Sequence, residues 1–228
     1  MRNSIFWITQ TSLQVPANDD WLSGQEREVL AGFRFPKRKN DWRLGRWTAK
    51  QAVCAYRPTE YISLPSLQIR AAGDGAPEAF YNGEPAAVSI SLSHSGDRSL
   101  CTVGLPGFGV GCDLEWIESR EANFAADYFT PDELAITLES PIRRELLETL
   151  IWSAKETSLK ILRKGLSRDT RSISISPDVA EQESAWMLWT GHCLESSRIF
   201  YGWWRISEGF VYTIASDRPT SAPEELNS

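Results

Sequence analysis

The chain has 228 residues, of which 42% are hydrophobic and 24% charged, and its formal net charge is −6. This is the composition of an ordinary soluble globular protein, long enough for one large domain or two small ones. The acidic balance argues against a general nucleic-acid binder, which needs a dominant basic surface, but it permits a local basic pocket for a phosphate-bearing ligand.

Ten Trp supply large aromatic anchors for cores or interfaces. Cys54, Cys101, Cys112 and Cys193 are far apart, and none forms a CxxC pair. A zinc site is therefore not expected, and the thiols read as buried and reduced. The opening MRNSIFWITQ holds an apolar run too short for a secretory signal, and no stretch is long enough to span a bilayer. The expected location is the cytoplasm.

Ser4–Thr9, rich in Ile, Phe and Trp, predicts a strand. Asp19 or Asp20 could cap a helix running to about Phe33. Pro36 suits the first turn of a second helix, about Lys37–Tyr56. That helix carries Lys37, Arg38, Lys39, Arg43, Arg46 and Lys50 against a single acid, Asp41. It reads either as a solvated basic helix or as a lip that attracts phosphates. Nucleic-acid binding is a weaker third reading.

A strand over Ser66–Ala71 follows, then the loop AAGDGAP and a hairpin turned at Asn82-Gly83. Val88–Leu92 alternates as a strand and runs into Ser93-His94-Ser95-Gly96. Ser99–Leu105 is another strand, and Leu105-Pro106-Gly107 breaks the chain into two halves.

The second half opens on GVGCDLE at 109–115. Read as a strand, Gly111, Asp113 and Glu115 face one side and Val110, Cys112 and Leu114 the other. Two like charges this close need solvent, a basic partner or a cation. Glu121–Phe129 predicts a helix, and Thr130-Pro131-Asp132-Glu133 a second helix start with Thr as N-cap. Ser140-Pro141 repeats that signal. From Ile142 the apolar pattern supports about six helical turns to Lys164-Gly165. Within them Trp152, Glu156 and Lys160 share one face. Strands only are predicted afterwards, at about 171–176, 185–189, 197–206 and 210–216, with a turn at Glu208-Gly209. Residues 218–228 read as a disordered tail.

Glu156 and Lys160 alone would be a common surface ion pair. If the helix meets the strand, however, Asp113, Glu115 and Glu156 make a hard-oxygen site suited to Mg²⁺. Lys160, one turn on, cannot ligate a cation while protonated and suits a phosphate oxygen.

GVGCDLE at 109–115 and WSAKETSLK at 152–160 resemble the two signature motifs of the 4′-phosphopantetheinyl transferases. SLSHSG at 91–96 resembles that family's Ser-His segment, and the basic helix with Gly45-Arg46 its N-terminal half. Length and layout resemble the monomeric surfactin-synthetase-activating type. The resemblance implies an α+β fold of two pseudo-symmetric halves, each a long helix on a small, mainly antiparallel sheet. Residues 1–106 would form one half and 107–217 the other, with the active site in the cleft between them.

It also implies transfer of the phosphopantetheine arm of coenzyme A to a serine of an apo acyl or peptidyl carrier protein, releasing 3′,5′-ADP. Asp113, Glu115 and Glu156 would hold Mg²⁺. Glu156 would take the serine proton and Lys160 would face the phosphates. Ser93, His94, Lys37, Arg38 and Arg46 are the expected coenzyme A contacts. Two departures stand out. Gly75-Ala76-Pro77 lacks the lysine often found in that loop, and Glu28, Val29 and Ala31 occupy positions where the family is often basic. The alternative is a non-catalytic module of the same fold that binds coenzyme A or carrier proteins.

Overall fold

A computed structural model describes residues 4–57, 62–140, 142–163, 169–178 and 185–227. The architecture mixes helices with mainly antiparallel sheets. Strands β1 (Phe6–Thr11), β2 (Leu67–Ala71), β3 (Pro77–Tyr81), β4 (Glu84–Pro85), β5 (Ser89–Ser95) and β6 (Arg98–Gly104) precede the Leu105-Pro106-Gly107 break. Strands β7 (Val110–Trp116), β8 (Ile173–Pro177), β9 (Met187–Cys193), β10 (Ile199–Ser207) and β11 (Phe210–Ser216) follow it. The helices are α1 (Gly24–Ala31), α2 (Pro36–Tyr56), α3 (Phe124–Tyr128), α4 (Pro131–Glu139) and α5 (Arg144–Ile161). No helix among the described residues is long and apolar enough to cross a membrane.

A last strand, β12 (Glu224–Glu225), corrects the sequence reading of a disordered tail. It pairs in parallel with β1, Phe6 opposite Glu224, and Leu226 packs into the core beneath α2. The sheet orders are β12-β1-β6-β5, β7-β11-β10-β9-β8 and β2-β3-β4. Asn82 and Gly83 (φ 51° and 88°), like Glu208 and Gly209 (φ 51° and 80°), have the left-handed backbone that two-residue hairpins need.

Two further boundaries differ from the sequence reading. The cap of α1 is Ser23, not Asp19 or Asp20. Its hydroxyl accepts from the Glu26 N–H while the Glu26 carboxylate accepts from the Ser23 N–H. Ser140 closes α4 rather than opening α5, whose first residue is Arg144. Pro141 and the expected helix end at Lys164-Gly165 lie outside the described residues.

Three of the apolar clusters among the described residues organise the layers. Ala49, Ala52 and Val53 of α2 pack on Ile8, Cys101 and Val103. Leu147, Ile151 and Ala154 of α5 pack on Trp189, Phe200 and Trp204. Trp7 and Leu100 from the first sheet meet Cys112, Leu114 and Tyr212 from the second, joining the two sheets.

The same lock holds each long helix. In α2, fully buried Lys50 pairs with Glu26 at 2.6 Å, and its ammonium also donates to the Trp21 and Leu64 carbonyls. Glu26 sits at the third position of α1 and accepts the Ile69 N–H of β2. In α5, fully buried Lys155 pairs with Glu133 at 2.8 Å and donates to the Thr170 and Ile173 carbonyls. Glu133 sits at the third position of α4 and accepts the Ile175 N–H of β8. Even an aromatic under each ammonium recurs, Trp21 in one lock and Phe129 in the other. Each carboxylate ties a helix cap, a strand and a buried lysine together, leaving little of the charge unpaired.

Gly111 sets the distance between β7 and α5. A methyl group there would overlap the Thr157 carbonyl oxygen and lie 2.9 Å from Ile161 Cγ1. Since backbone cannot yield as a flexible side chain can, Gly111→Ala should cost about 1–3 kcal/mol. Thermal unfolding followed by circular dichroism checks this, and an unchanged midpoint would mean that the two elements are not in this contact.

Candidate active site

The Gly111–Thr157 contact brings the polar side of β7 against α5. Along β7, Val110, Cys112 and Leu114 enter the core between the sheets, so Asp113 and Glu115 turn towards the helix. Asp113 is 4% exposed. Its Oδ1 accepts from Lys160 Nζ at 2.8 Å and from Ser93 Oγ at 2.7 Å, and its Oδ2 accepts from Ser153 Oγ at 2.9 Å. β7, α5 and β5 therefore meet on one carboxylate. Behind Ser153, the Thr213 and Thr157 hydroxyls continue a buried chain.

Lys160 also donates to the Cys112 carbonyl at 2.9 Å. Burial opposes its charge, but Asp113, Cys112 and Glu156 together raise its pKa. The ammonium has three donors, so two go to the protein and it is not wholly free for a phosphate.

Glu115 is held on both oxygens. Trp152 Nε1 donates to Oε1 at 3.1 Å and Arg120 Nη2 to Oε2 at 3.2 Å. Burial first, then the charge of Asp113, raises its pKa. Trp152 thus secures Glu115, whereas its position in sequence suggests packing that steadies Glu156. Its ring also lies edge-on to Phe124 and Tyr128.

Glu156 is the unsettled group. Its Oε1 is buried with no hydrogen-bond partner among the described residues. Burial, then the nearby charge of Asp113, pushes its pKa up to about 7, with Lys160 pulling against them and Glu115 adding to the rise. Among the described residues, no group of three or more His, Cys, Asp or Glu side chains is gathered closely enough to hold a metal ion. The three carboxylates feel one another through charge but do not converge on one point. The donors nevertheless suit a hard cation: all are carboxylate oxygens, and one is a buried acceptor lacking a partner.

The expected coenzyme A contacts divide. Arg38, Arg46, Ser93 and His94 line one cavity of about 300 Å³ together with Phe33 and Trp42. Arg38 lies 5.3 Å from the Phe33 ring centre and Arg46 4.7 Å from that of Trp42. Burial lowers the Arg46 pKa, with Glu26 opposing, and its Nε has no partner among the described residues. His94 is half exposed, 4.0 Å from Asp41. Lys37 is exposed and outside this lining. A larger cavity of about 620 Å³ lies on the other side, walled by the 74–80 segment, Val88 and Lys160. Leu92 borders both cavities.

Sequence reasoning passed over Ser153, Arg120 and the Glu133–Lys155 lock. For Lys155 a signal existed. It shares a helix face with Ile151 and Leu159, so a lysine falls on an apolar stripe and needs a buried partner. For Arg120 no local pattern marked the contact with Glu115.

Residues 109–211 match the family model described as the 4′-phosphopantetheinyl transferase superfamily. A curated relative, 4′-phosphopantetheinyl transferase psf-1 of Bacillus pumilus, is 33% identical over 160 residues, which is 68% of this chain. The chain belongs to the 4′-phosphopantetheinyl transferase superfamily. The match to psf-1 spans 63% of that relative's own length. Among solved structures, the holo-[acyl-carrier-protein] synthase of Thermotoga maritima is similar at a TM-score of 0.38 and 15% identity, covering 54% of this chain and 72% of that one. The superfamily match contains Asp113, Glu115, Glu156 and Lys160, while Arg38, Arg46, Ser93 and His94 lie outside it.

Proposed function

We propose that the protein transfers the 4′-phosphopantetheine arm of coenzyme A to a serine hydroxyl of an apo carrier protein. The observation that carries this is Glu156: a buried carboxylate with an unpartnered oxygen and a pKa near 7, beside an Asp113–Lys160 pair whose lysine lines the larger cavity. A carboxylate so poised accepts a proton near neutral pH.

In the proposed reaction the serine oxygen forms a bond to the phosphorus bearing the pantetheine arm. The bond from that phosphorus to the bridging oxygen breaks, and 3′,5′-ADP leaves. Glu156 takes the serine proton, and Lys160 offsets charge on the phosphates with its remaining donor. Mg²⁺ held by Asp113 and Glu156 would supply neutralisation of the pyrophosphate, Glu115 being the third carboxylate of the set. Coenzyme A would place its adenosine in the larger cavity and its 3′-phosphate towards Arg38 and His94 in the smaller. Ser93 would remain with Asp113, and Arg46 would back the smaller cavity's wall. Lys37, outside that lining, could add only long-range attraction.

This reading places the reaction in a cleft between two halves, residues 1–106 and 107–217, related by pseudo-symmetry. The paired Glu26–Lys50 and Glu133–Lys155 locks support that relation. A site drawing Ser93 and Asp113 from different halves of one chain favours a monomer, and we place its work in the cytoplasm.

The test is to incubate the protein with Mg²⁺, coenzyme A and a panel of apo acyl and peptidyl carrier proteins, then weigh the carriers by mass spectrometry. Gain of one phosphopantetheine on a serine is the expected result. No gain on any carrier, with coenzyme A still bound, would instead favour a binding module.

A further inference from the structure

The larger cavity is closed on one side by an arginine in an unfavourable backbone conformation. Arg163 follows Leu162, the C-cap of α5, and has φ 54°, the left-handed region that penalises any residue with a Cβ. Glycine usually fills such a place. Here the side chain makes contacts that glycine could not. Its Nε donates to Asp74 Oδ2 at 2.7 Å, and its Nη2 donates to Asp74 Oδ1 at 3.2 Å and to Glu78 Oε1 at 2.7 Å.

These partners stand 85 and 89 residues away in sequence, on the opposite wall. Asp74 belongs to the turn before β3, and Glu78 to β3 itself. The turn is closed by the Gly75 N–H donating to the Ala72 carbonyl and the Ala72 N–H donating to the Ala76 carbonyl, both at 2.8 Å. Asp74 Oδ1, which accepts from Arg163 Nη2, also takes the Ala76 N–H at 3.1 Å. One guanidinium thus fixes both the turn and the start of β3, and Ala76, Pro77 and Phe80 of that segment form the cavity wall. Asp74 accordingly titrates well below an ordinary carboxylate, at about 2, chiefly because Arg163 bonds to it. Among the residues lining this cavity the cations are Lys160 and Arg163, and Lys160 is engaged by Asp113 and the Cys112 carbonyl.

We propose that Arg163 is a positioning residue for coenzyme A: by clamping Asp74 and Glu78 to the end of α5 it holds the 72–78 segment as one wall of the nucleotide cavity. This rests on the coenzyme A reading of that cavity. The clamp acts on the coenzyme, not on the serine that is modified. Cutting it raises the KM for coenzyme A and leaves kcat and the KM for the carrier unchanged.

The backbone supplies a way to separate this role from stability. Arg163→Gly removes the clamp but relieves the left-handed strain, so the melting temperature should stay within about 2 °C of the parent. Coenzyme A binding by calorimetry should weaken about five- to tenfold in R163G, and similarly in D74N/E78Q, which cuts the clamp from the other wall. R163K should fall between, since a lysine keeps the charge but not the two-pronged geometry. Because the clamp is partly exposed, about 1 M salt should weaken binding more in the parent than in R163G. Exchange of the Ala76 amide should be faster in R163G with no ligand present.

Equal coenzyme A affinity in parent and R163G would overturn this inference and leave the transferase reading standing. So would an unchanged Ala76 exchange rate, or a loss of affinity that only tracks a loss of thermal stability. A parent protein that binds no coenzyme A would overturn both.

Discussion

Glu156→Gln should give a protein that is more stable than its parent at about pH 8 and about 10²–10⁴-fold slower in transfer. Both effects have one source. Burial and the Asp113 charge raise the Glu156 pKa to about 7 in the folded state, above its ordinary value of 4.5. The folded state therefore binds the proton more tightly than the unfolded chain does. Stability from this group is complete below about pH 4.5, declines as pH rises, and is lost above about 7. Ionising Glu156 costs about 1–3 kcal/mol once its partial exposure is allowed for. Glutamine avoids that cost at high pH and gains nothing at low pH. Urea unfolding of metal-free parent and E156Q at about pH 4 and pH 8 checks the sign. A stability difference that does not grow with pH would mean Glu156 is not held against its charge. Retained turnover would remove it as the proton acceptor.

Lys155→Met should have the largest effect on stability, about 3–5 kcal/mol. It leaves the fully buried Glu133 carboxylate without its cation, and it strands the Thr170 and Ile173 carbonyls. A fall of roughly 6–20 °C in melting temperature follows for a chain of this size. Removing Glu133 as well, in K155M/E133L, should recover part of that loss, because the pair's desolvation cost goes with it. Lys160→Met offers the contrast. Lys160 is 27% exposed and lines the larger cavity, and Asp113 keeps the Ser93 and Ser153 hydroxyls, so this change should cost less stability than K155M and most of the activity. Differential scanning calorimetry with the carrier assay separates the two lysines, though they lie five residues apart on one helix. If K155M melts like its parent, the buried pair does not hold α5.

Periodicity and capping made the elements legible. Thr130-Pro131-Asp132-Glu133 starts a helix as read, and Asn82-Gly83 turns a hairpin as read, because both are decided within a few residues. Ser23 was missed as a cap because Asp19 and Asp20 are equally good local candidates. What separates them is the distant Ile69 N–H and Lys50, which reward a carboxylate at position 26. The alternation of β7 put Asp113 and Glu115 on one side correctly, but it could not tell what that side would face. Ser153, Ser93 and Lys160 reach Asp113 from 40, 20 and 47 residues away. Such long-range partners leave no periodic trace. The same limit hid Arg163, whose partners lie across the cavity and whose left-handed backbone is not marked by a glycine.

The pairing of β12 with β1 bears on how the chain is made. β1 and β6 can pair once residue 104 has been synthesised, and α2 can settle on them. The outer side of β1 then stays open until Glu224–Leu226 have left the ribosome. In the interval the second sheet has all five strands in hand and can close around α5. Folding would then start at β1 and β6 and move on to the second sheet, with the outer edge of the first sheet sealed last, and β1 would pass that time as an open edge able to recruit another strand.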